Sequence, residues 1–469
     1  MRGHMRRVRR TGFVVAALFS TAIVFHAQVA RTLGPQVARV VAVDAPIVAL
    51  THVRLIDGTG QPARDDQTVV IEGEKIRAVG ASADVTVPAD ARVLDLRNRS
   101  VIPGIVGLHD HMYYGSPVGG SMRPMLFSYP RLFLAAGVTT IRTTGSVDSY
   151  QELNLRESIG KWEMPGPEIH VTGPYLQGPG PGPAAMHPLD GPEDARRMVR
   201  YWSEEGVKWF KAYTQISRVE LAAAINEAHA RGVKVTAHLC SVGFREAVDL
   251  GIDNLEHGLL TDTEFWPGKQ PDQCPAVTDG EMYKSLDVES ADVQRTIQAM
   301  VKHHVSMTST LAVMELSSPR RVPLDPRVLF VLHPEAAAAV AQWHADSQAT
   351  DDSVQQQNLK KAMQFERDFV KAGGLLGAGA DPCCRTVVAG YGDQRNFELL
   401  VEAGFTPEQA IAIMTANGAQ VLGIANRVGT IAAGKQADLC AWRIESLAEL
   451  GYWVGLPGPE RRIFAGLDA

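Results

Sequence analysis

Six residues of this chain could bind divalent metal ions, one of them after modification, and each closes a short apolar segment. The segments read IPGIVGLHDHM, VKWFKAY, VKVTAHL, IDNLEHG and GLLGAGADP. If each segment is a parallel strand, its last residues lie at the carboxyl end, where a β/α barrel carries its active site. The pattern therefore predicts a two-metal site built from His109, His111, Lys211, His238, His257 and Asp381.

The spacing of these residues predicts how two ions would be shared. Residues i and i+2 of a strand face the same side, so His109 and His111 can bind one ion through neutral imidazoles. His238 and His257 end later strands and are expected to hold the second ion. Asp381 is expected to bind the first ion and to carry a proton during catalysis. The alternative for Asp381 is a cap on the following helix. Zinc is the common choice for such nitrogen and oxygen ligands.

Lys211 needs a chemical step before it can bind a metal ion. A protonated ammonium is not a ligand, but a neutral amine can add CO2 and become a carbamate with two oxygen atoms. Such a group can bridge two cations. The alternative is a lysine at a strand end that reaches solvent. Because the other five positions carry ligands, we expect Lys211 to be carboxylated and to bridge the two ions.

Four more residues are expected near the same rim, where they would contact a substrate. Arg142 ends the second predicted strand and could bind a carboxylate, or equally form a buried structural ion pair. His187 lies in the loop after the third strand, with either a packing role or a substrate contact. Tyr213 follows Lys211 by two residues and shares its side of the strand, and Tyr114 lies just past His111.

The elements that would position these residues alternate between strand and helix from residue 101 to 427. Val219–Ala230 has helical apolar spacing, and Thr406 followed by Pro407 is typical of a helix start. Two Pro- and Gly-containing loops, 174–192 and 261–280, leave the predicted catalytic face. We therefore expect an α/β fold, a (β/α)8 TIM-like barrel. Its strands are predicted at 101–108, 138–142, 168–172, 207–211, 233–237, 253–256, 305–311 and 375–380.

Both ends of the chain carry short β patterns outside this barrel. Residues 47–100 contain three alternating segments separated by turn residues. Residues 428–469 contain further short runs, predicted at 428–431, 438–442 and 461–464. We expect one small β-sandwich domain formed by both termini.

The first thirty residues have the composition of an export signal. Five arginines and no acid precede the apolar stretch Phe13–Phe25, which is short for a membrane span. Residues 1–30 are therefore predicted to be a signal peptide, followed by a linker at 31–46. The mature protein would be periplasmic or extracellular, without stable membrane insertion. The alternative is an uncleaved N-terminal membrane anchor.

Charge and cysteine content restrict the partners. The chain has 46 basic and 52 acidic residues, and loss of the five signal arginines leaves 41 against 52, a net charge of −11. Such an acidic protein is a poor nucleic-acid binder, and we expect a small-molecule substrate. Self-association into a homo-oligomer is a separate expectation. Without a C-x-x-C motif, a zinc knuckle is excluded. Cys274 is expected to pair with Cys383 or Cys384, unless all five cysteines are free.

At these motifs the chain resembles the amidohydrolase superfamily, in its imidazolonepropionase-like group and nearest to the Xaa-Pro dipeptidase (prolidase) branch. The resemblance covers roughly residues 47–469, including AGVTTIRTTG and the closing segment TPEQAIAIMTANGAQVLGIANRVGTIAAGKQADLCAW. It implies the same six ligands, and Lys211 favours the two-metal, peptidase-like members. Two departures lie near the substrate: Thr143 follows Arg142 where the family often has Asp, and a Pro/Gly-rich loop ending at His187 replaces a Gly-Gly-His element.

The expected reaction is hydrolysis of an amide bond in a dipeptide or an N-acyl amino acid. A hydroxide that bridges the two metal ions would attack the carbonyl, and Asp381 would move the proton to the leaving nitrogen. The same residues could serve a lactonase, an esterase, or a cyclic-amide hydrolase or deaminase. An inactive, exported metal- or partner-binding protein is a further alternative. Retention of a proton carrier at Asp381 argues against that last reading.

Overall fold

The computed structural model describes residues 33–118, 120–181, 186–277, 279–442, 461–464 and 467–468, which form a mixed α/β fold. Its strands are β1 (Ile47–Leu55), β2 (Arg64–Glu72), β3 (Lys75–Ala81), β4 (Arg92–Asp95), β5 (Ser100–Pro103), β6 (Ile105–Asp110), β7 (Tyr113–Gly115), β8 (Met122–Pro124), β9 (Val138–Thr143), β10 (Glu168–His170), β11 (Trp209–Ala212), β12 (Lys234–Ala237), β13 (Asn254–Glu256), β14 (Ser306–Ser309), β15 (Leu376–Ala378), β16 (Asp438–Trp442), β17 (Arg461–Phe464) and β18 (Leu467–Asp468).

One helix precedes β1, and the other helices lie between β8 and β16, where they fill most of the connections between the parallel strands. They are α1 (Pro35–Ala38), α2 (Ser128–Ala135), α3 (Ser149–Gly160), α4 (Gly191–Glu204), α5 (Arg218–Ala230), α6 (Phe244–Asp249), α7 (Asp279–Met282), α8 (Ala291–Lys302), α9 (Leu311–Met314), α10 (Pro326–Val331), α11 (Pro334–Ser347), α12 (Ser353–Lys371), α13 (Tyr391–Glu402), α14 (Pro407–Ala412) and α15 (Gly418–Leu422).

The parallel strands of the middle region lie in two sheets. One has the order β10-β9-β6 and the other the order β11-β12-β13-β14-β15. A parallel bridge between Thr172 and Trp209 links β10 to β11. At the other edge, the backbone N–H of Asp381 donates to the carbonyl of His109 at 2.8 Å, so the chain leaving β15 lies against β6. Each of the eight predicted strand segments thus contains a parallel strand of the structure.

The helix predicted over Val219–Ala230 and the helix start predicted at Thr406 agree with the structure. Ser217 caps α5 in a capping box with Glu220, and Thr406 caps α14 in the same way with Gln409. Pro407 occupies the first turn of α14, where its missing N–H has no intrahelical partner to lose. Both helices begin where the side chains of serine and threonine satisfy backbone N–H groups.

A separate sheet combines strands from both ends of the described chain. Its order is β18-β17-β16-β5-β1-β2-β3, with β4 paired to β1. Strands β16 and β5 are antiparallel, and Leu439 lies opposite Pro103. Residues 428–431, between α15 and β16, were expected to form a strand, and this prediction is wrong. Gly429 has φ +88° and its α-carbon faces Ala419 of α15, so this segment packs on a helix and does not pair with a strand.

The segment expected to be a linker makes contacts with the rest of the molecule. It contains α1, whose Val37 is buried, and the N–H of Gly34 donates to the carbonyl of Trp162 at 2.8 Å. The predicted signal peptide, residues 1–30, lies outside the described residues. Within the described ranges, no helix combines the length and apolar character that crossing a bilayer requires.

One disulfide bond is present in the described structure, and it corrects the expected pairing. Cys274 is bonded to Cys240, with their α-carbons 4.9 Å apart, and not to Cys383 or Cys384. The reason is the path of the loop 261–280, which folds back over the end of β12. Within it, the Lys269 ammonium donates to the carbonyl of Ser241 at 2.5 Å.

Candidate metal centre

The structure brings the six predicted ligands together at the carboxyl ends of the parallel strands. The rings of His109 and His111 have centroids 5.3 Å apart, and those of His238 and His257 are 4.4 Å apart. His109 and His257 join the two pairs, with centroids separated by 4.5 Å. Lys211 places its Nζ 2.9 Å from Nε2 of His109. The residues thus form one continuous cluster across separate strands.

Asp381 completes this cluster from beyond the end of β15. Its Oδ1 lies 3.0 Å from Nε2 of His111, and its Oδ2 lies 3.6 Å from Nε2 of His109 and 4.0 Å from Nδ1 of His257. Asp381 and His257 both have positive φ, +52° and +66°. Such backbone strain in residues other than glycine costs about 1–3 kcal/mol and concentrates at functional sites. The strained turns aim both side chains back toward β6.

A second layer of side chains holds the histidine rings in place. Nδ1 of His109 lies 2.8 Å from Oε2 of Glu256, which leaves Nε2 facing the cluster. Glu256 also accepts a hydrogen bond from Nη2 of Arg142 at 2.5 Å. On His257, Nδ1 is hydrogen-bonded to Oγ1 of Thr310 at 2.7 Å. Carboxylate and hydroxyl partners of this kind orient metal-binding imidazoles.

Burial sets the protonation states of the cluster. It lowers the pKa of all four imidazoles, to about 3 for His238, and the Lys211 ammonium adds to the effect at His109. Burial also lowers the pKa of Lys211 to about 8. Burial alone would raise the pKa of Asp381, but the neighbouring His109, His111 and Lys211 bring it below its usual range. The site therefore holds neutral imidazoles, an ionised carboxylate and an amine that is easily deprotonated.

These residues fit divalent metal ions. Nε2 of His257 and Nδ1 of His111 are buried and have no hydrogen-bond partner among the described residues. Ligand atoms of His109, His257 and Asp381 all lie within 4.8 Å of one another. Buried polar atoms without partners are costly, and a cation with nitrogen and oxygen ligands would satisfy them.

The expected substrate contacts lie in different surroundings. Arg142 is fully buried, and its guanidinium donates to Glu256 and to Oδ1 of Asn254 at 3.0 Å. This geometry favours the structural ion pair over the substrate contact. The ring of Tyr213 lies tilted against that of His238, with centroids 5.0 Å apart, so it borders the cluster.

The other two residues that were expected to contact a substrate, Tyr114 and His187, are bonded to residues outside the histidine cluster. The hydroxyl of Tyr114 donates to the carbonyl of Arg385 at 2.8 Å and holds the loop after Asp381. His187 is mostly exposed, and its Nε2 lies 3.5 Å from the carboxylate of Asp194. Neither of these contacts involves one of the six predicted ligands, so the substrate roles of Tyr114 and His187 stay predictions.

Sequence reasoning missed Glu256 and Tyr175. Glu256 immediately precedes His257, and a carboxylate at the end of an apolar segment was a usable signal. Tyr175 lies in the loop after β10 and places its hydroxyl 2.7 Å from that of Tyr113. Its ring centroid is 5.6 Å from Nζ of Lys211. No pattern in the sequence indicates this contact, because Tyr175 is not part of a strand end.

Comparison with known proteins agrees with this geometry. The model of the amidohydrolase family matches residues 100–455. The imidazolonepropionase of Vibrio cholerae serotype O1 is 23% identical over 449 residues, covering 89% of this chain and 98% of that protein. The imidazolonepropionase of Erwinia tasmaniensis is 46% identical over 63 residues, and this match spans 13% of the chain and only 16% of that protein.

Solved structures share the fold. A candidate prolidase from Bifidobacterium longum is 25% identical with a TM-score of 0.64, covering 91% of this chain and 95% of that one. A Xaa-Pro dipeptidase with methionine bound in its active site is 18% identical with a TM-score of 0.65, covering 90% and 99%. The resemblance to imidazolonepropionase-like and prolidase-like proteins is thereby confirmed. On the family match over most of its length, this chain belongs to the amidohydrolase family.

Proposed function

We propose that this chain is a metal-dependent hydrolase that cleaves the C–N amide bond of a small molecule, a dipeptide or an N-acyl amino acid. The observation that carries the proposal is the cluster of four neutral imidazoles, one ionised carboxylate and one lysine of lowered pKa. Such groups converge at the carboxyl ends of parallel strands, which is where α/β enzymes bind their substrates.

Two divalent ions, zinc by the preference of this ligand set, would occupy the cluster. When bound, such ions polarise a substrate carbonyl and lower the pKa of water to about 7, so that hydroxide is available at neutral pH. The lowered pKa of Lys211 supports addition of CO2 to its amine. The first ion would be held by His109, His111 and Asp381, the second by His238 and His257, and carboxylated Lys211 would lie between them.

The protein residues then perform the proton chemistry and the positioning. Asp381, ionised and next to three histidines, accepts a proton as the carbonyl is attacked and returns it to the leaving nitrogen. Glu256 keeps the His109 ring in one orientation through the bond to Nδ1. Arg142 in turn holds Glu256. The hydroxyl of Tyr213, whose ring lies against that of His238, is the proposed contact to the substrate.

The remaining proposals concern the whole protein. The consecutive strand order supports a closed (β/α)8 barrel over residues 101–427, and the shared sheet supports a sandwich domain from 47–100 and 428–469. The bond between Cys240 and Cys274 supports export after removal of residues 1–30, because disulfides persist in oxidising compartments. Periplasmic or extracellular location follows from that proposal.

The test is a screen of the zinc-loaded protein against dipeptides, N-acyl amino acids, simple lactones and esters. We expect hydrolysis of amides that carry a free carboxylate, and loss of that activity after chelation and in His257→Ala. Amidating the substrate carboxylate should lower kcat/KM by about ten- to a hundredfold, the worth of one charge-assisted hydrogen bond. Cleavage of lactones alone, or equal cleavage of carboxylate and amide forms, would contradict the proposed substrate class.

A further inference from the structure

Two adjacent cysteines, Cys383 and Cys384, follow Asp381 at the edge of the metal centre. Their Sγ atoms are 2.7 Å apart, within about 0.7 Å of the length of a disulfide bond. Both residues are half-buried. We propose that these two residues form a reversible disulfide with each other, a redox modification site that takes small-molecule disulfides as its oxidant.

The geometry indicates that this bond would be easily reduced. Adjacent α-carbons are about 3.8 Å apart, whereas disulfides usually join α-carbons separated by about 4.4–6.8 Å. A ring between neighbours is therefore strained, and strained disulfides have higher reduction potentials. The bond between Cys240 and Cys274 joins α-carbons 4.9 Å apart, inside the usual range. One protein thus holds a structural disulfide and a labile cysteine pair.

The chemistry balances with a glutathione-type oxidant. The thiolate of one cysteine attacks the oxidant's S–S bond, forms a mixed disulfide and releases the first glutathione. The second thiolate then attacks the protein sulfur of that mixed disulfide and releases the second glutathione. The two protein protons end on the two glutathione thiols, the two cysteines are oxidised, and one glutathione disulfide is reduced.

Hydrogen bonds connect this pair to the metal centre. The N–H of Cys383 donates to the carbonyl of Asp381 at 2.7 Å, and the N–H of Gly115 donates to the carbonyl of Cys383 at 2.6 Å. The hydroxyl of Tyr114 donates to the next carbonyl, that of Arg385. Closing the ring changes the peptide between the two cysteines and therefore moves Asp381 and β7 relative to each other. This effect on turnover rests on the proposed function, whereas bond formation does not.

The experiment uses the full chain with its structural disulfide intact, equilibrated in mixtures of reduced and oxidised glutathione. Remaining thiols are blocked with N-ethylmaleimide, and the peptide that contains residues 383 and 384 is analysed by mass spectrometry. We expect this peptide to lose two hydrogens and accept no N-ethylmaleimide in oxidising mixtures. As the ratio of reduced to oxidised glutathione rises, the peptide should regain both thiols while Cys240 and Cys274 are still bonded. Two blocked thiols at every ratio, stable glutathione adducts, or a bond to another cysteine would overturn the proposal.

The effect of the proposed disulfide on turnover is tested with two variants, Cys383→Ser and Cys384→Ser. In the wild type we expect kcat/KM to fall about ten- to a hundredfold on oxidation, the effect of a displacement of about 1 Å near reacting groups. Neither variant should show this reversible loss. If the ring forms and turnover is unchanged, the coupling to Asp381 is wrong. Inactivity of the fully reduced, zinc-loaded protein would instead count against the proposed hydrolase function, while the mass spectrum would still decide the bond.

Discussion

At the scale of single residues, Lys211 has the environment that a carbamate requires. Its amine is buried, its pKa is lowered to about 8, and it lies 2.9 Å from a histidine of the cluster. Burial disfavours the charged amine of Lys211, although the carboxylates of Asp381 and Glu256 favour it. The residue chemistry therefore supports a bridging role between two ions.

The first prediction is that Lys211→Ala removes much of the bound metal. Without the carbamate, no residue would connect the two ions, and the second ion should be lost first. The measurement is zinc per chain by elemental analysis after dialysis. Lys208→Ala is the matched control, because Lys208 lies three residues earlier and is exposed. A variant at position 211 with two ions and full activity would show that the bridge is wrong.

Asp381 is the proposed carrier of the proton during catalysis. We predict that Asp381→Asn keeps much of the metal but loses about 10²–10⁴-fold in kcat, the usual contribution of general acid–base catalysis. The amide preserves size and one ligand oxygen but cannot accept the proton. Metal content and kcat are measured on the same sample. Turnover within a few-fold of the wild type would exclude Asp381 as the proton carrier.

At the scale of elements, the close approach of β15 and β6 determines where Asp381 lies. A β-carbon added at Gly379 would lie 2.2 Å from the backbone nitrogen of His109. Only a residue without a side chain allows this approach, and the bond from Asp381 N–H to His109 C=O follows two residues later. Gly379, the third glycine of GLLGAGADP, is therefore required for the packing of the site.

We predict that Gly379→Ala separates these two strands and weakens metal binding by about 10- to 100-fold, the usual effect of misplacing a ligand's support. Isothermal titration with zinc gives the affinity, and the circular dichroism spectrum reports the fold. Gly160→Ala is the control, because a β-carbon at that position in α3 meets no atom within 4 Å. Equal zinc affinity in the two variants would mean that the approach of β15 is not needed.

At the scale of the whole molecule, buried carboxyl groups make stability depend on pH. Glu366 of α12 is buried, and burial raises its pKa to about 8, although the polar side chain of Ser309 opposes the shift. In the unfolded chain its pKa is near the ordinary 4.5. Between these two values the unfolded state binds fewer protons than the folded state. The free energy of unfolding therefore falls as pH rises from about 4.5 to about 8.

We predict that Glu366→Gln removes part of this pH dependence. An amide stays neutral at every pH, so the variant should lose less stability than the wild type between pH 5.5 and pH 8.5. The difference should approach about 1.4 kcal/mol for each pH unit in the part of that interval below the folded pKa of about 8, and level off above it. Urea unfolding at several pH values measures it. Glu289→Gln, at an exposed position, should follow the wild type, and parallel curves for all three proteins would contradict the assignment.

The sequence by itself determined the six candidate ligands and the order of the parallel strands. Histidine, lysine and aspartate at the ends of apolar segments predicted a cluster, and the structure brings all six together. The eight parallel strands and the helix start at Thr406 were predictable for the same reason, because they depend on local periodicity and on capping chemistry.

Tertiary structure alone decided what depends on contacts between distant segments. Arg142 pairs with Glu256 across 114 residues, and Tyr175 meets Tyr113 across 62 residues. The partner of Cys274 and the packing of residues 428–431 on α15 were mispredicted because neither follows from neighbours in sequence. Local pattern fixes which face a side chain takes, but only the folded chain fixes which side chain lies opposite it.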